Sequence, residues 1–237
     1  MDINEILKLY AAGERNFQKL NLQEAELTNA NLTGADFSYA DLRQTRLGKT
    51  NLSQACLKEA DLSESILWGI DLSEADLYHA VLREADLTGA KLVKTHLEAT
   101  NLIKSSLCGA NLYGANLSRS LLFQADLRPS SNQRTDLGYA VLTGADLSYA
   151  DLRAASLHHA NLNQAKLCRA NLGKIIQWGN LATDLSEASL QGADLSYANF
   201  DSAILRKANL QGADLTGAIF TNADLVGAIM PDGTVHD

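Results

Sequence analysis

One apolar residue at every fifth position constrains this chain more than any other feature. Leu or Phe stands at Phe17, Leu22, Leu27, Leu32 and Phe37, and then at every fifth position to Leu127. The row resumes from Leu137 to Leu172 and again from Leu185 to Met230. From Leu27 onward the residue two before each of these centres is Ala, Ser or Thr, with Ile70 as the exception. A period of five matches neither an α-helix, where apolar positions recur at three and four, nor an unbroken strand with its period of two. It does match a three-residue extended unit followed by a bend. Two residues apart, the small residue and the centre point to the same side of a short strand, and the Asp or Asn between them points away. The next two residues turn the corner, where Gly34, Gly89, Gly109, Gly114, Gly144, Gly192, Gly212, Gly217 and Gly227 recur. Strand plus bend, repeated in one sense, winds the chain into a coil with the Leu and Ala rows inside.

The phrase A-[D/N]-L-X-X stands at Ala35–Tyr39 with Phe as its centre, and at Ala60–Glu64, Ala145–Tyr149, Ala193–Tyr197 and Ala213–Gly217. In this the chain resembles the pentapeptide-repeat family. That resemblance implies an all-β fold, a right-handed quadrilateral parallel β-helix with four pentapeptides to a coil; the five comes from the periodicity, the four from the resemblance. It covers nearly the whole chain and is far more specific for fold than for function. In length and opening stretch the chain also resembles those members that regulate heterocyst differentiation in filamentous cyanobacteria, which implies a non-catalytic regulatory scaffold whose partners are regulatory proteins. Other members mimic duplex DNA and occupy type II topoisomerases, which is the alternative. Against it, Lys58, Lys91, Lys94, Arg46 and Lys166 interrupt the acidic rows, and the tail from Asp232 to Asp237 is too short for the helical dimer module of gyrase-protecting members.

A solenoid is one quasi-one-dimensional body at any length, so a single repeat domain is expected over 1–237. It divides into a helical cap at 1–15, a β-helix at 16–230 interrupted near 128–136 and 173–184, and a tail at 231–237. At a strand spacing of about 4.8 Å, ten coils give a rod on the order of 50 Å long. Residues before Phe17 leave the five-period, and Asn4–Gly13 reads as a short α-helix, with Asp2 or Asn4 as N-cap and Gly13 as its stop. Ile3, Ile6, Leu7 and Tyr10 give it an apolar face to lay over the open first coil. In the first interruption Asn132 stands where a Leu is due, one pentapeptide is replaced and phase is kept. The thirteen residues from Leu172 to Leu185 exceed a multiple of five, so Ile175–Leu181 must bulge, with Trp178 packed over the bulge.

A formal net charge of −8 argues against direct nucleic-acid binding, which needs a basic footprint. No membrane segment or targeting signal is read, and three isolated cysteines, Cys56, Cys108 and Cys168, suit a reducing cytoplasm rather than a disulfide framework. Cys108 and Cys168 are placed at corners three coils apart. The Asp row (Asp36, Asp61, Asp71, Asp76, Asp86, Asp146 and Asp151) sits at the outward position and reads as a solvated, backbone-capping row rather than a set of catalytic carboxylates. No phosphate loop, nucleophile elbow or metal spacing is present, so neither an enzyme nor a cofactor or metal is expected. On the twenty-residue coil that the resemblance implies, with phase kept through the first interruption, Tyr78, His79, Arg119, Tyr139, His158 and His159 rim one side. The adjoining side carries Val81, Leu121 and Val141 outward, beside Ile103 and Phe123. Together they predict a Tyr/His/Arg-rimmed apolar strip for a protein partner, with a monomer favoured as the oligomeric state.

Overall fold

The computed structural model describes residues 3–131, 133–176 and 181–237; Asp2, Asn132 and Trp178, on which expectations were placed, lie outside the described residues. The chain winds as a right-handed quadrilateral β-helix. Parallel bridges join Asn16 to Asp36, Asn21 to Asp41, Glu26 to Arg46 and Asn31 to Asn51, so a coil holds twenty residues and four sides. We number the sides by their first centres: first at Phe17, second at Leu22, third at Leu27, fourth at Leu32.

Each side makes the same three contacts with the coil above. Leu22 N–H donates to Asp41 C=O at 2.8 Å, Asp41 N–H donates back to Leu20 C=O at 2.9 Å, and the corner Glu24 N–H donates to Arg43 C=O at 2.9 Å. The corner closes on itself where Ala25 N–H donates to Leu22 C=O at 3.0 Å. Its third residue takes a positive φ, 61° at Glu24, and positive φ at that position alone defines a type II turn. Most corners therefore hold a non-glycine residue in the left-handed region, among them Lys19, Glu59, Tyr149 and Arg169. Such a residue costs roughly 1–2 kcal/mol more than glycine would, and the bonded ladders on both sides hold it there.

The interior is a stack of Leu and Ala rows that are almost fully buried. Phe17 stacks on Phe37 at 5.3 Å and Phe200 on Phe220 at 4.9 Å between ring centroids. Where Ser or Thr replaces Ala, its hydroxyl finds a carbonyl: Thr45 donates to Leu42 at 2.6 Å and Thr95 to Leu72, one coil below, at 2.8 Å. A buried hydroxyl without a partner would be costly, and this pairing lets the small position alternate without loss. The Asp and Asn row caps the corners: the Oδ1 of Asp36, Asp61 and Asp146 accepts the backbone N–H two residues on, at 2.9, 2.9 and 3.0 Å.

Helix α1 spans Ile3–Ala11 and closes the lower end. Ile6 is fully buried, Ile3 and Tyr10 pack against the core, and the Tyr10 hydroxyl donates to Thr33 C=O at 2.9 Å. Two expectations for this helix are corrected. Leu7 faces solvent rather than the first coil, since the helical step from Ile6 carries it around the axis. Asn4 lies inside the first turn and is not the N-cap, because the helix begins at Ile3. Gly13, with φ of 101°, follows the helix as expected.

The upper end differs: Leu215, Phe220, Leu225 and Met230 are only partly buried. There Val235 pairs antiparallel with Ile229, and Gly227 N–H donates to His236 C=O at 2.7 Å, so the tail folds over the last coil along one side only.

Both interruptions leave the coil at the third–fourth edge. Asn111 pairs with Asp136, a step of twenty-five residues, and Ser156 pairs with Asp184, a step of twenty-eight. The first interruption therefore does not replace a side. It adds five residues as a small hairpin closed between Ser130 and Gln133, and Leu137 lands above Leu112. The second is a hairpin closed between Ile175 and Leu181. Each rejoins the ladder through Thr-Asp-Leu, at 135–137 and 183–185. The buried Thr135 hydroxyl accepts Gly109 N–H at 2.8 Å and lies 2.8 Å from Arg128 C=O. That of Thr183 accepts Ala154 N–H at 2.9 Å and lies 3.1 Å from Leu152 and Gly173 carbonyls. At the second insertion the threonine hydroxyl takes the place of the regular corner carbonyl, and at the first it adds to the bond that Gly109 N–H makes to Arg128 C=O at 3.0 Å.

Candidate interaction surface

The twenty-five-residue coil redistributes the predicted strip. Seven of its residues stay together on the second side and its borders: Tyr78, His79 and Arg119 on the first–second edge, Val81 and Leu121 on the side itself, and Ile103 and Phe123 on the second–third edge. The four that follow the interruption do not join them. Val141 pairs with Asn116 and so lies on the first side, and Tyr139, His158 and His159 lie on the fourth–first edge. Strict phase-keeping across Arg128–Arg134 had placed them one side away. The same shift separates Cys108, on the third–fourth edge, from Cys168, on the second–third edge.

What stacks above Leu121 and Phe123 instead extends the surface. Phe123 meets Tyr149 edge-on at 5.4 Å, the Arg169 guanidinium lies 5.7 Å from the Tyr149 ring and 5.6 Å from the Tyr197 ring, and its Nη1 donates to the Tyr149 hydroxyl at 3.2 Å. The second–third edge thus runs Ile103, Phe123, Tyr149, Arg169, Tyr197 in successive coils. Leu121 is 42% exposed beside it and Tyr197 55%. Aromatic residues and arginine with an apolar centre are the composition that interface cores favour. Tyr149, Arg169 and Tyr197 were missed in sequence because their column joins Phe123 only once one coil is counted as twenty-five residues and another as twenty-eight.

The displaced aromatics form a cluster of their own. Tyr139 lies 5.4 Å from Tyr113 and from His158, and stacks on His159 at 4.7 Å. The His158 ring sits over Gly138, where a Cβ would collide with it, and its Nδ1 lies 2.8 Å from Ser156 Oγ. His159 Nδ1 is 3.5 Å from Glu187. Among the described residues, no group of three or more His, Cys, Asp or Glu side chains is arranged to hold a metal ion.

One side chain links the two insertions along their shared edge. Arg134 donates to Ala154 C=O at 2.6 Å and Ala155 C=O at 2.9 Å in the next coil, and to Ala182 C=O at 2.5 Å in the second hairpin. Burial holds its pKa below the usual arginine range, against the pull of Asp184 and Asp136. Nearby, burial works against ionisation of Asp126, yet Arg128, donating at 2.6 Å and through its own backbone, holds that carboxyl below the usual range. Burial also pushes the Cys108 thiol up to about 11. All three cysteines are free. No helix among the described residues is long and apolar enough to cross a membrane.

The repeat architecture and its unbroken Leu ladder define the class. Pentapeptide repeats match the chain in eight copies, over residues 16–54, 55–93, 90–128, 135–173, 183–222 and 193–231, and the chain belongs to the pentapeptide-repeat family. Among solved structures it is similar to HetL, a pentapeptide repeat protein involved in heterocyst differentiation regulation from the cyanobacterium Nostoc sp. strain PCC 7120. The two are 81% identical over 100% of each chain, with a TM-score of 0.99. It is also similar to QnrB1, a plasmid-mediated fluoroquinolone resistance protein, at 18% identity over 94% of this chain and 91% of that one, TM-score 0.30. A pentapeptide repeat protein of the Arabidopsis thaliana thylakoid lumen is 28% identical over 56% and 69% of the two chains, TM-score 0.24. No curated protein sequence matches.

Proposed function

We propose that this protein is a non-catalytic scaffold of the cytoplasm that regulates heterocyst differentiation by binding a regulatory protein through its second side. The observation that carries the reading is the full-length likeness to HetL, at 81% identity and a TM-score of 0.99. Its surface supports a protein partner: Leu121, Ile103 and Phe123 give an apolar centre, Arg119, Tyr149, Arg169 and Tyr197 a border able to make directed contacts. A net charge of −8 is unsuited to binding nucleic acid directly.

The test has two arms. Expressed in a Nostoc strain lacking HetL, the protein is expected to restore the wild-type heterocyst pattern. Used as baits alongside HetL, the wild type is expected to capture a protein common to both, and Leu121→Glu combined with Tyr149→Glu is expected to lose it while keeping the wild-type circular dichroism. No restoration of the pattern would remove the regulatory role, and undiminished capture by the folded double variant would remove the second side.

A further inference from the structure

The middle of the second side is locally basic in an acidic chain. Over four successive coils Asn101, Leu121, Asp146 and Lys166 stack in turn. These coils hold Lys104, Arg119, Lys166 and Arg169 on the side or its two borders, all four exposed, in a protein whose formal net charge is −8. We infer that this face receives an acidic segment of a protein partner, with carboxylates on either side of an apolar residue. The inference rests on the protein-binding reading above and gives that partner a chemistry.

The reason is that these cations have no anions. Elsewhere along the rod Arg43 is met by Asp41 at 2.6 Å, Lys58 by Asp76 at 3.1 Å, Arg128 by Asp126 at 2.6 Å and Arg206 by Asp224 at 2.5 Å. Among the described residues, none of the four cations on the second side takes part in an ion pair. Two carboxylates share these coils, and neither serves them. Asp146 Oδ1 accepts Ser148 N–H at 3.0 Å in the capping role of its row, and Glu98 turns to the first side, where Asn116 Nδ2 donates to it at 2.5 Å. Arg169 is unpaired yet oriented, between the rings of Tyr149 and Tyr197 and bonded through Nη1 to the Tyr149 hydroxyl. A guanidinium already held in place loses little freedom when a carboxylate arrives, and its fork matches that carboxylate at two points.

The layout supplies the apolar part. Lys104 and Arg119 lie below and beside Leu121, Lys166 and Arg169 lie two coils above it, and Leu121 itself is exposed next to the half-buried Phe123. Three coil steps of about 4.8 Å make the span about 14 Å, the reach of roughly five extended residues. Charges set around an apolar centre steer a partner of opposite sign to it and turn away one of the same sign. Nucleic acid matches the face less well, because four cations on an acidic body fall short of a basic footprint and a phosphate chain makes no use of Leu121.

The probe is the peptide acetyl-Glu-Glu-Leu-Glu-Glu-amide, titrated into the full-length protein and followed by the backbone amide resonances of Leu121, Tyr149 and Lys166. Saturable shifts in the millimolar range are expected, weakening as salt is raised from about 50 to about 300 mM. The peptide with Ser for Leu is expected to bind more weakly, and the one with Lys for Glu to produce no shifts. Arg119→Gln combined with Arg169→Gln is expected to weaken binding at least tenfold at unchanged circular dichroism, whereas Arg43→Gln combined with Arg206→Gln, at cations already paired, leaves it as it was. No saturation, equal binding of the lysine peptide, or an unchanged titration of the Arg119 and Arg169 variant overturns the inference. So does tighter binding of a short oligothymidylate at the same resonances. These outcomes separate from those of the partner experiment: a restored heterocyst pattern without peptide binding leaves the scaffold reading standing and removes the acidic segment. Peptide binding without restoration does the reverse.

Discussion

The coils below Leu127 and the third–fourth edge above it solve the same problem by different means. Below, every corner is two residues long, every side repeats at twenty, and each side makes the same three backbone hydrogen bonds with the next coil. Above, hairpins enter at two corners two coils apart, yet the ladder continues on the far side of each as if nothing had been added. The fold therefore does not require that every corner be a type II turn. It requires that a small residue and a leucine arrive at the right height with the corner's polar groups satisfied. Thr183 meets that condition by contributing a hydroxyl where the regular corner contributes backbone, and Thr135 adds its hydroxyl to the Gly109 N–H bond that Arg128 C=O also accepts. Arg134 then ties the first hairpin to the second.

The largest expected effect tests the ladder itself. Leu72→Ala, in the regular coils, should cost about 2–5 kcal/mol in urea unfolding, because a stack of identical rows has no neighbour able to fill the void. Leu225→Ala, near the open upper end where the side chain is only partly buried, should cost less than half as much. Next is the threonine substitution: Thr183→Val keeps the volume but leaves Ala154 N–H without its acceptor, and should cost about 1–3 kcal/mol. Thr95→Val, which loses a single bond to Leu72, should cost about 1 kcal/mol. Equal losses at the two sites would mean that the hairpin edge is no more dependent on its hydroxyl than a regular corner.

A third comparison uses two glycines with the same φ of +65°. Around Gly89 nothing lies within 4 Å of an added Cβ, whereas at Gly109 the Cβ would collide with Ser130 Oγ of the first hairpin. Gly89→Ala should cost only the left-handed penalty of about 1–2 kcal/mol. Gly109→Ala should cost visibly more and should raise hydrogen exchange at Ser130, so equal thermal midpoints for the two variants would show that the hairpin is not packed on the corner below.

The smallest effect is in pH. Asp36 and Asp126 are both held below the usual carboxylate range: burial opposes ionisation at each, and hydrogen bonds from Ser38 and Gln18 at the first, and from Arg128 at the second, outweigh it. Since their folded values lie below the unfolded one, their contribution is present above about pH 4 and is lost as pH falls through the folded values. The thermal midpoint should be flat above pH 5 and decline below pH 4, with Asp126→Asn declining less steeply.

The period of five, the inward Leu and small rows, the outward capping Asp row and the terminal helix are all written in residue identities. A side chain at every fifth position has one place to go when its neighbours two residues away are small. The coil phase above Leu127 is not written in the same way. An insertion of five residues is silent in a five-residue register, so replacing a side and bulging one out leave the same spacing between Leu127 and Leu137. The trace that distinguishes them is the repeated Thr-Asp-Leu, at 135–137 and at 183–185, because the second interruption cannot keep register and must rejoin through it. Tyr139, Val141, His158 and His159 were misplaced for this reason alone, while Leu121, Ile103 and Phe123, which precede the interruption, were placed correctly relative to one another.

The left-handed corners bear on how such a surface changes over time. Since Lys, Glu, Gln, Tyr, His and Arg all occupy that position, the backbone there is held by its neighbours and does not depend on which side chain it carries. Each corner is thus an address on a fixed grid, about 4.8 Å from the next along an edge, whose occupant can be exchanged without a message reaching the leucines inside. A lineage of such proteins can rewrite what one edge recognises one letter at a time, and keep the same rod throughout.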